Sequence, residues 1–447
     1  MTGLRPLVAV ATAAFLYGCG GGSSPAPPAG VTTTVSGTVV VGTTATSGAV
    51  AVYDYSSGSK GAWLGGGPIA GDGSGHYSIS YTSTSPPSVI LVEATNACYD
   101  EFSYLWYGAD FGGIPQTSTL FTPQFGFAPV CATPSLALDA VAAVTSGSSA
   151  TVAVTPYTHA DLGLIQYKVR NGEGVAAAVA DAATAFKQML GFDPVTTLPA
   201  MPQHVETESP VTVYGGLIAA IPGWLYNAGY AAPSNTSLVE LGTPPLTTLS
   251  FAELMRSDLA EDGVLNGVGR DSTGAPVSLA VVGVPLSTDV YRHGLAKYAV
   301  GQLRGYFESV QGYTVADTQR IIGFLPELLA YNDATSPVFD STAVTPLDEN
   351  YPLINFASPA SGATLTGSPN VNGYIADIVG VSQTSVIPTN CILQVDGTYY
   401  DSFSDPYHPN HFVNTTVFAN GTHILTIQVT NNLGATASSS ASVTFSN

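Results

Sequence analysis

The first folded stretch alternates apolar and small polar residues. Val35-Ser36-Gly37-Thr38-Val39-Val40-Val41 reads as a half-buried strand, and Ala49–Tyr53 and Ser88–Ala94 supply two more. Between them, the glycine-rich turn Gly71–Gly75 leads into Tyr77 and Ile79, two apolar positions one residue apart. The chain stays strand- and loop-like to about Thr155, with an aromatic-rich extension holding Trp106 and Tyr107. At Pro156 the period lengthens. Val175, Val179, Ala182, Phe186 and Leu190 are spaced for one helix face, and Gly191 stops that helix. A second helix is expected over Thr248–Glu261, with Ser250 and Glu253 in capping-box spacing, and the helical pattern continues over Val290–Val310 and Thr314–Tyr331. From Tyr351 the period returns to two. Asn420-Gly421 signals a hairpin turn before Thr422–Thr430, and Asn431–Gly434 makes the next turn before Ser440–Phe445. The pattern predicts a multidomain chain, with all-β sandwich modules at both ends flanking a mainly helical middle region. Boundaries are expected at 33–155, 156–345 and 350–447.

One stretch, Ser209–Val239, carries no charged residue, which raises a membrane span. Pro210, Pro222, Asn227, Pro233 and Asn235 interrupt it, and hydrocarbon offers no partner for the backbone groups they free. A buried helical hairpin or the wall of an apolar pocket is the better expectation.

The N-terminus has a different texture. A single charge, Arg5, precedes an apolar run to Phe15, and small residues surround Cys19, the order of an export signal over 1–18. The run is shorter than the ~20 residues a membrane-spanning helix needs. Gly20–Gly30 has no side chain able to build a core, so 19–32 reads as a flexible tether. Composition narrows the partners. Of the 447 residues only 9% are charged, yet the net charge is -20, which excludes the phosphate-neutralising surface of a nucleic-acid binder. Cys98 and Cys131 could pair in an oxidising compartment, leaving Cys391 unpaired or intermolecular.

Four resemblances add to this. Leu16-Tyr17-Gly18-Cys19 resembles the lipobox of bacterial lipoproteins, although Tyr17 stands where a small residue is usual. The resemblance implies lipidation at Cys19 and, with Gly20 following, delivery to the outer membrane, facing the periplasm or the cell surface; a plain signal peptide cut elsewhere is the alternative. VSGTVV, AVAVYD and GDGSGHYSIS resemble the carboxypeptidase regulatory-like, prealbumin-type β-sandwich over roughly 33–97. SPASGATLTG and ANGTHILTIQVTNNLGAT resemble the opening and ending of a bacterial immunoglobulin-like domain. These modules imply spacing and display rather than catalysis. TPYTHADLGLIQYKV, at Thr155–Val169, resembles segments of proteobacterial lipoproteins of unknown role and brings no mechanism.

A search for chemistry returns little. There is no GxSxG elbow, no HExxH helix, no Walker loop and no CxxC, so no catalytic residue and no cofactor is assigned. Asp405, His408 and His411 form the most metal-like patch, but two prolines shape a loop there, and a loop is the preferred reading. Asp258–Asp271 has oxygen ligands without the closing Glu of a calcium loop and reads as a solvated helix end followed by a turn. Asp100 and Glu101 read as solvated, and His293 as helix-surface decoration. Trp106 and Tyr107 could contact a glycan, though aromatic clusters more often fill a core. The expectation is a non-enzymatic, lipid-anchored envelope or surface protein whose sandwiches make display, adhesion or scaffold contacts with envelope polysaccharide or surface proteins. An exported hydrolase or glycan-binding lipoprotein, with its site in 156–335 or 99–127, is the alternative.

Overall fold

The computed structural model describes residues 30–99, 130–131, 137–200, 210–230, 247–270, 273–281, 284–296, 299, 328, 330–340, 352–359, 361–377, 388–404, 409–431, 434 and 436–447. Sheets lie at both ends of the chain and helices between them.

The N-terminal strands are β1 (Val31–Thr38), β2 (Ser47–Asp54), β3 (Trp63–Pro68), β4 (His76–Ser83), β5 (Val89–Tyr99), β6 (Val130–Cys131), β7 (Leu138–Ala143) and β8 (Ser149–Thr151). They form two sheets, β4-β1-β8 and β3-β2-β5, and the long β5 carries both β7 and β6 along its other edge. Val35, Tyr77, Ile79 and Tyr81 of the first sheet share a core with Val50, Val52, Ile90, Val92, Leu138 and Ala140 of the second. Alternation places the intervening residues of the second sheet, including Leu91, Glu93, Asp139 and Val141, on its opposite face. That face is covered: Tyr55, Val89, Leu91 and Val141 belong to one apolar cluster with the helices.

The helices are α1 (Pro156–Arg170), α2 (Val175–Leu190), α3 (Pro210–Tyr230) and α4 (Thr248–Asp262). Thr155 caps α1, and Thr155 and Thr158 exchange side-chain and backbone hydrogen bonds in a capping box, with Pro156 in the first turn. Helix α2 ends on Gly191 in the left-handed conformation. The box of α4 is Thr247 with Ser250, not Ser250 with Glu253, because the chain turns helical three residues earlier than the spacing suggested and frees Glu253 for other partners. Ser209–Val239 does not form a hairpin within the described residues: α3 is a single helix running through Pro222, its Leu217–Ile221 stretch fully buried. No helix among the described residues is long and apolar enough to cross a membrane. His293 is half-buried in a π-helical turn rather than decorating a surface. Short strand pairs follow α4: β9 (Val268–Arg270) with β10 (Pro276–Ser278), and β11 (Ala280–Val281) with β12 (Val284–Pro285). The 258–268 segment is a helix end and turn, but Asp258 is fully buried rather than solvated. Asp258 accepts the Gly267 and Val268 backbone N–H groups, and burial pushes its carboxyl up to about 7 against those bonds.

The C-terminal strands are β13 (Pro352–Ser358), β14 (Thr364–Leu365), β15 (Asn370–Asp377), β16 (Pro388–Val395), β17 (Thr398–Ser402), β18 (Asn410–Phe412), β19 (Gly421–Asn431) and β20 (Thr436–Phe445). One sheet runs β13-β15-β18 and the other β14-β20-β19-β16-β17. Apart from the short β14, the first, second and fifth strands lie on one side and the third, fourth, sixth and seventh on the other, an immunoglobulin-like order in which the fourth strand, β17, pairs with the third. Leu393, Val395, Leu425, Ile427, Val429, Val443 and Phe445 close its core against Val371. Asn420-Gly421 is not a hairpin turn, because β18 and β19 lie in different sheets and the dipeptide sits at the crossing between them. Local turn chemistry marks a reversal but cannot say which sheet receives the next strand.

Candidate functional site

The covered face of the N-terminal sheet becomes polar toward one end. Glu93 of β5 and Asp139 of β7 are direct cross-strand partners, two carboxylates on adjacent positions. Helix α1 is tied down beside them. Thr158 Oγ1 donates to the Asp139 carbonyl at 3.2 Å, and the Asp139 backbone N–H donates to His159 Nδ1 at 3.0 Å. Since Nδ1 accepts, the ring proton sits on Nε2, which donates to Glu253 Oε2 of α4 at 3.0 Å. His159 is 3% exposed.

Close helix packing brings α4 within reach. A Cβ on Gly163 would lie 2.2 Å from the Arg256 carbonyl oxygen, so glycine lets the two backbones touch there. One turn spacing on each helix then sets the lining: polar His159 and Gln166 with apolar Leu162 from α1, and Glu253 and Arg256 from α4. Arg256 holds Glu253 through Nε and Nη2 and reaches Gln166 Oε1 with Nη1 at 3.1 Å. On the open side, the turn after β2 contributes Tyr55, Ser59 and Lys60, whose ammonium is 2.5 Å from Glu93. These residues, with Leu91 and Ala137, line a cleft of about 480 Å³, within the usual size range of small-ligand sites.

The electrostatics are uneven. Burial pushes the Asp139 carboxyl up to about 6, helped by Glu93 and opposed by His159 and Arg256. Burial acts upward on Glu253 as well, but hydrogen bonds from His159 and Arg256 outweigh it and bring that carboxyl down to about 2. Asp139 Oδ1 is enclosed and has no hydrogen-bond partner among the described residues. No three His, Cys, Asp or Glu side chains converge as a metal site among those residues.

The residues singled out by sequence lie elsewhere. Cys98 and Cys131 face each other in β5 and β6 and are joined by a disulfide; Cys391 is buried in the C-terminal core. His411 pairs with Asp401 at 3.2 Å, while Asp405 and His408 lie outside the described residues. Cys19, Asp100, Glu101, Trp106 and Tyr107 also lie outside them. Sequence reading passed over the cleft entirely. Asp139 did carry a signal: it is the sole Asp, Glu, Lys or Arg between Asp110 and Asp161, set in the apolar run LALDAVAAV. His159, in the TPYTHADLG stretch, carries no such signal.

No family model matches this chain, and no curated protein does. Fifteen solved chains match by structure. Among them are the fibronectin(III)-like modules of CbhA from Clostridium thermocellum, at 16% identity and a TM-score of 0.17, covering 23% of this chain and 48% of that one. The endo-beta-1,4-mannanase from Thermotoga petrophila matches at 14% identity and 0.19, over 36% of each chain. The FMN-binding beta-glucuronidase from Facaelibacterium prausnitzii L2-6 matches at 9% identity and 0.16, over 90% of this chain and 69% of that one. The chain thus spans about half or less of the first two. With TM-scores this low the matches carry no argument, and the immunoglobulin-like assignment rests on the strand order.

Proposed function

We propose that this chain is a lipid-anchored protein of a bacterial envelope, built to present recognition surfaces rather than to transform a substrate. The supporting observation is the C-terminal immunoglobulin-like sandwich. It closes a core of its own and leaves Tyr399, Phe412, Val417 and Ile424 between 50 and 65% exposed, a surface suited to contact with other envelope components. The lipobox at Cys19 and the Gly/Ser/Pro tether after it fit the same role, as does a prealbumin-type spacer for the N-terminal sandwich. Outer-membrane placement follows from Gly20. Metabolic labelling with a clickable fatty acid tests the anchor: the chain should take up label, and Cys19→Ser should lose it. An unlabelled chain recovered from the cytosol removes the proposal.

A second reading has its own support in the cleft. Its polar wall, drawn from sheet, turn and two helices, suits a small-ligand recognition site carried by such a lipoprotein. Saturable binding of a small polar solute, lost on filling the cleft with Ala137→Trp, would bear this out.

A further inference from the structure

We propose that the cleft between the β2 turn, the β5–β7 face and helices α1 and α4 binds a hydroxyl-rich ligand of sugar size that brings one ammonium group, held by Asp139. This rests on the small-ligand reading of the cleft. Each protein cation there already has its own carboxylate: Lys60 sits on Glu93, and Arg256 on Glu253. His159 is committed at both ring nitrogens. Asp139 has no cation of its own: its Oδ2 lies 3.5 Å from His159 Nδ1, which already accepts the Asp139 backbone N–H. Its Oδ1 is enclosed without a partner among the described residues, and its cross-strand neighbour is another carboxylate. A buried acceptor without a donor costs stability, and a network that served to brace helix against sheet would have filled it. With Oδ1 enclosed and the side chain 17% exposed, the Oδ2 edge is the part of this carboxylate that a donor entering the cleft meets.

Its chemistry follows from what surrounds it. The described residues show no converging metal ligands, so the donor is N–H or O–H. The pairing leaves one negative charge uncompensated, which an ammonium neutralises and a hydroxyl does not. Around that point stand the Tyr55 and Ser59 hydroxyls and the Gln166 amide, groups that exchange hydrogen bonds with hydroxyls. Leu91, Leu162 and Ala137 provide the apolar patches against which a sugar ring lies. The volume of about 480 Å³ accommodates one or two such rings.

Calorimetric titration of the full chain with glucosamine, glucose and N-acetylglucosamine tests this. Glucosamine should bind saturably, and the two uncharged sugars should bind about tenfold more weakly or worse, the value of a charge-assisted hydrogen bond. Asp139→Asn should cost glucosamine at least about tenfold while the protein melts no lower, and Asp181→Asn, on α2 outside the cleft, should leave binding intact. Glucose binding equal to glucosamine, with Asp139→Asn unaffected, overturns the ammonium assignment but keeps a small-ligand site. No saturable binding of any of the three overturns both.

Discussion

The two sandwiches treat the outer face of a sheet in opposite ways. In the C-terminal module the outward positions of β19 and β20 meet solvent, and they carry Thr and Ser in cross-strand pairs such as Thr426–Ser440 and Thr430–Thr436. In the N-terminal module the outward positions of β5 and β7 meet helices, and they carry Leu91, Val141, Glu93 and Asp139. A carboxylate on the first kind of face would be solvated and inert. On the second kind it loses water, acquires histidine and arginine neighbours and shifts its proton affinity. Chemistry on a sheet thus depends less on the strand that carries a residue than on the layer placed over it.

Three measurements test that contrast, taken from the largest effect to the smallest. Phe445→Ala empties the independent C-terminal core and should cost that module about 3–5 kcal/mol. Calorimetry should show its transition moving down while the transition of the N-terminal unit stays put; a joint shift would mean that the two cores are not independent.

The second concerns pH. The folded-state value of Asp139 rises from 3.8 to about 6, so the folded protein keeps a proton that the unfolded chain has released. Its contribution is complete below about pH 4 and is lost as pH rises through 6, on the order of 3 kcal/mol in all. Asp258, pushed up to about 7, acts in the same direction over an overlapping window, whereas Glu253, down at about 2, adds stability as pH rises from 2 toward 4.5. Asp139→Asn should remove its own share alone, so the stability difference between variant and parent should grow in the variant's favour from pH 4 to 7. A difference flat with pH would show that the helical layer does not desolvate this carboxylate.

The third is Gly163→Ala, which sets a methyl against the Arg256 carbonyl and forces α1 and α4 apart. Overpacking of this kind costs about 1–3 kcal/mol. Thermal melts should show the loss in the N-terminal unit, and the Asp139 pH response should weaken with it as water enters. A variant as stable as its parent would mean that the helices are not in contact there.

The legible part of this fold was the part written in local periodicity. Period-two runs located β1, β2, β4, β5, β19 and β20, and the face of α2 was readable from Val175 to Leu190. Errors arose where a local signal had more than one tertiary outcome. Asn420-Gly421 announced a reversal that turned out to join two sheets, and Ser250–Glu253 had capping-box spacing although Thr247 does the capping. The cleft was illegible for a related reason. Its acidic and basic residues come from positions 60, 93, 139, 159, 253 and 256, and apart from the 253/256 helix pair no spacing rule links residues that far apart.

Alternation and composition by themselves determined that this chain has β-sandwich material at both ends and helices between, because side-chain direction along a strand or helix is fixed by backbone geometry. They also supplied Asp139 as an isolated charge in an apolar run. Tertiary structure alone decided that the strand bearing it would be roofed by α1 and α4. Desolvation and long-range hydrogen bonding depend on which segments share space, and chain order does not encode that directly.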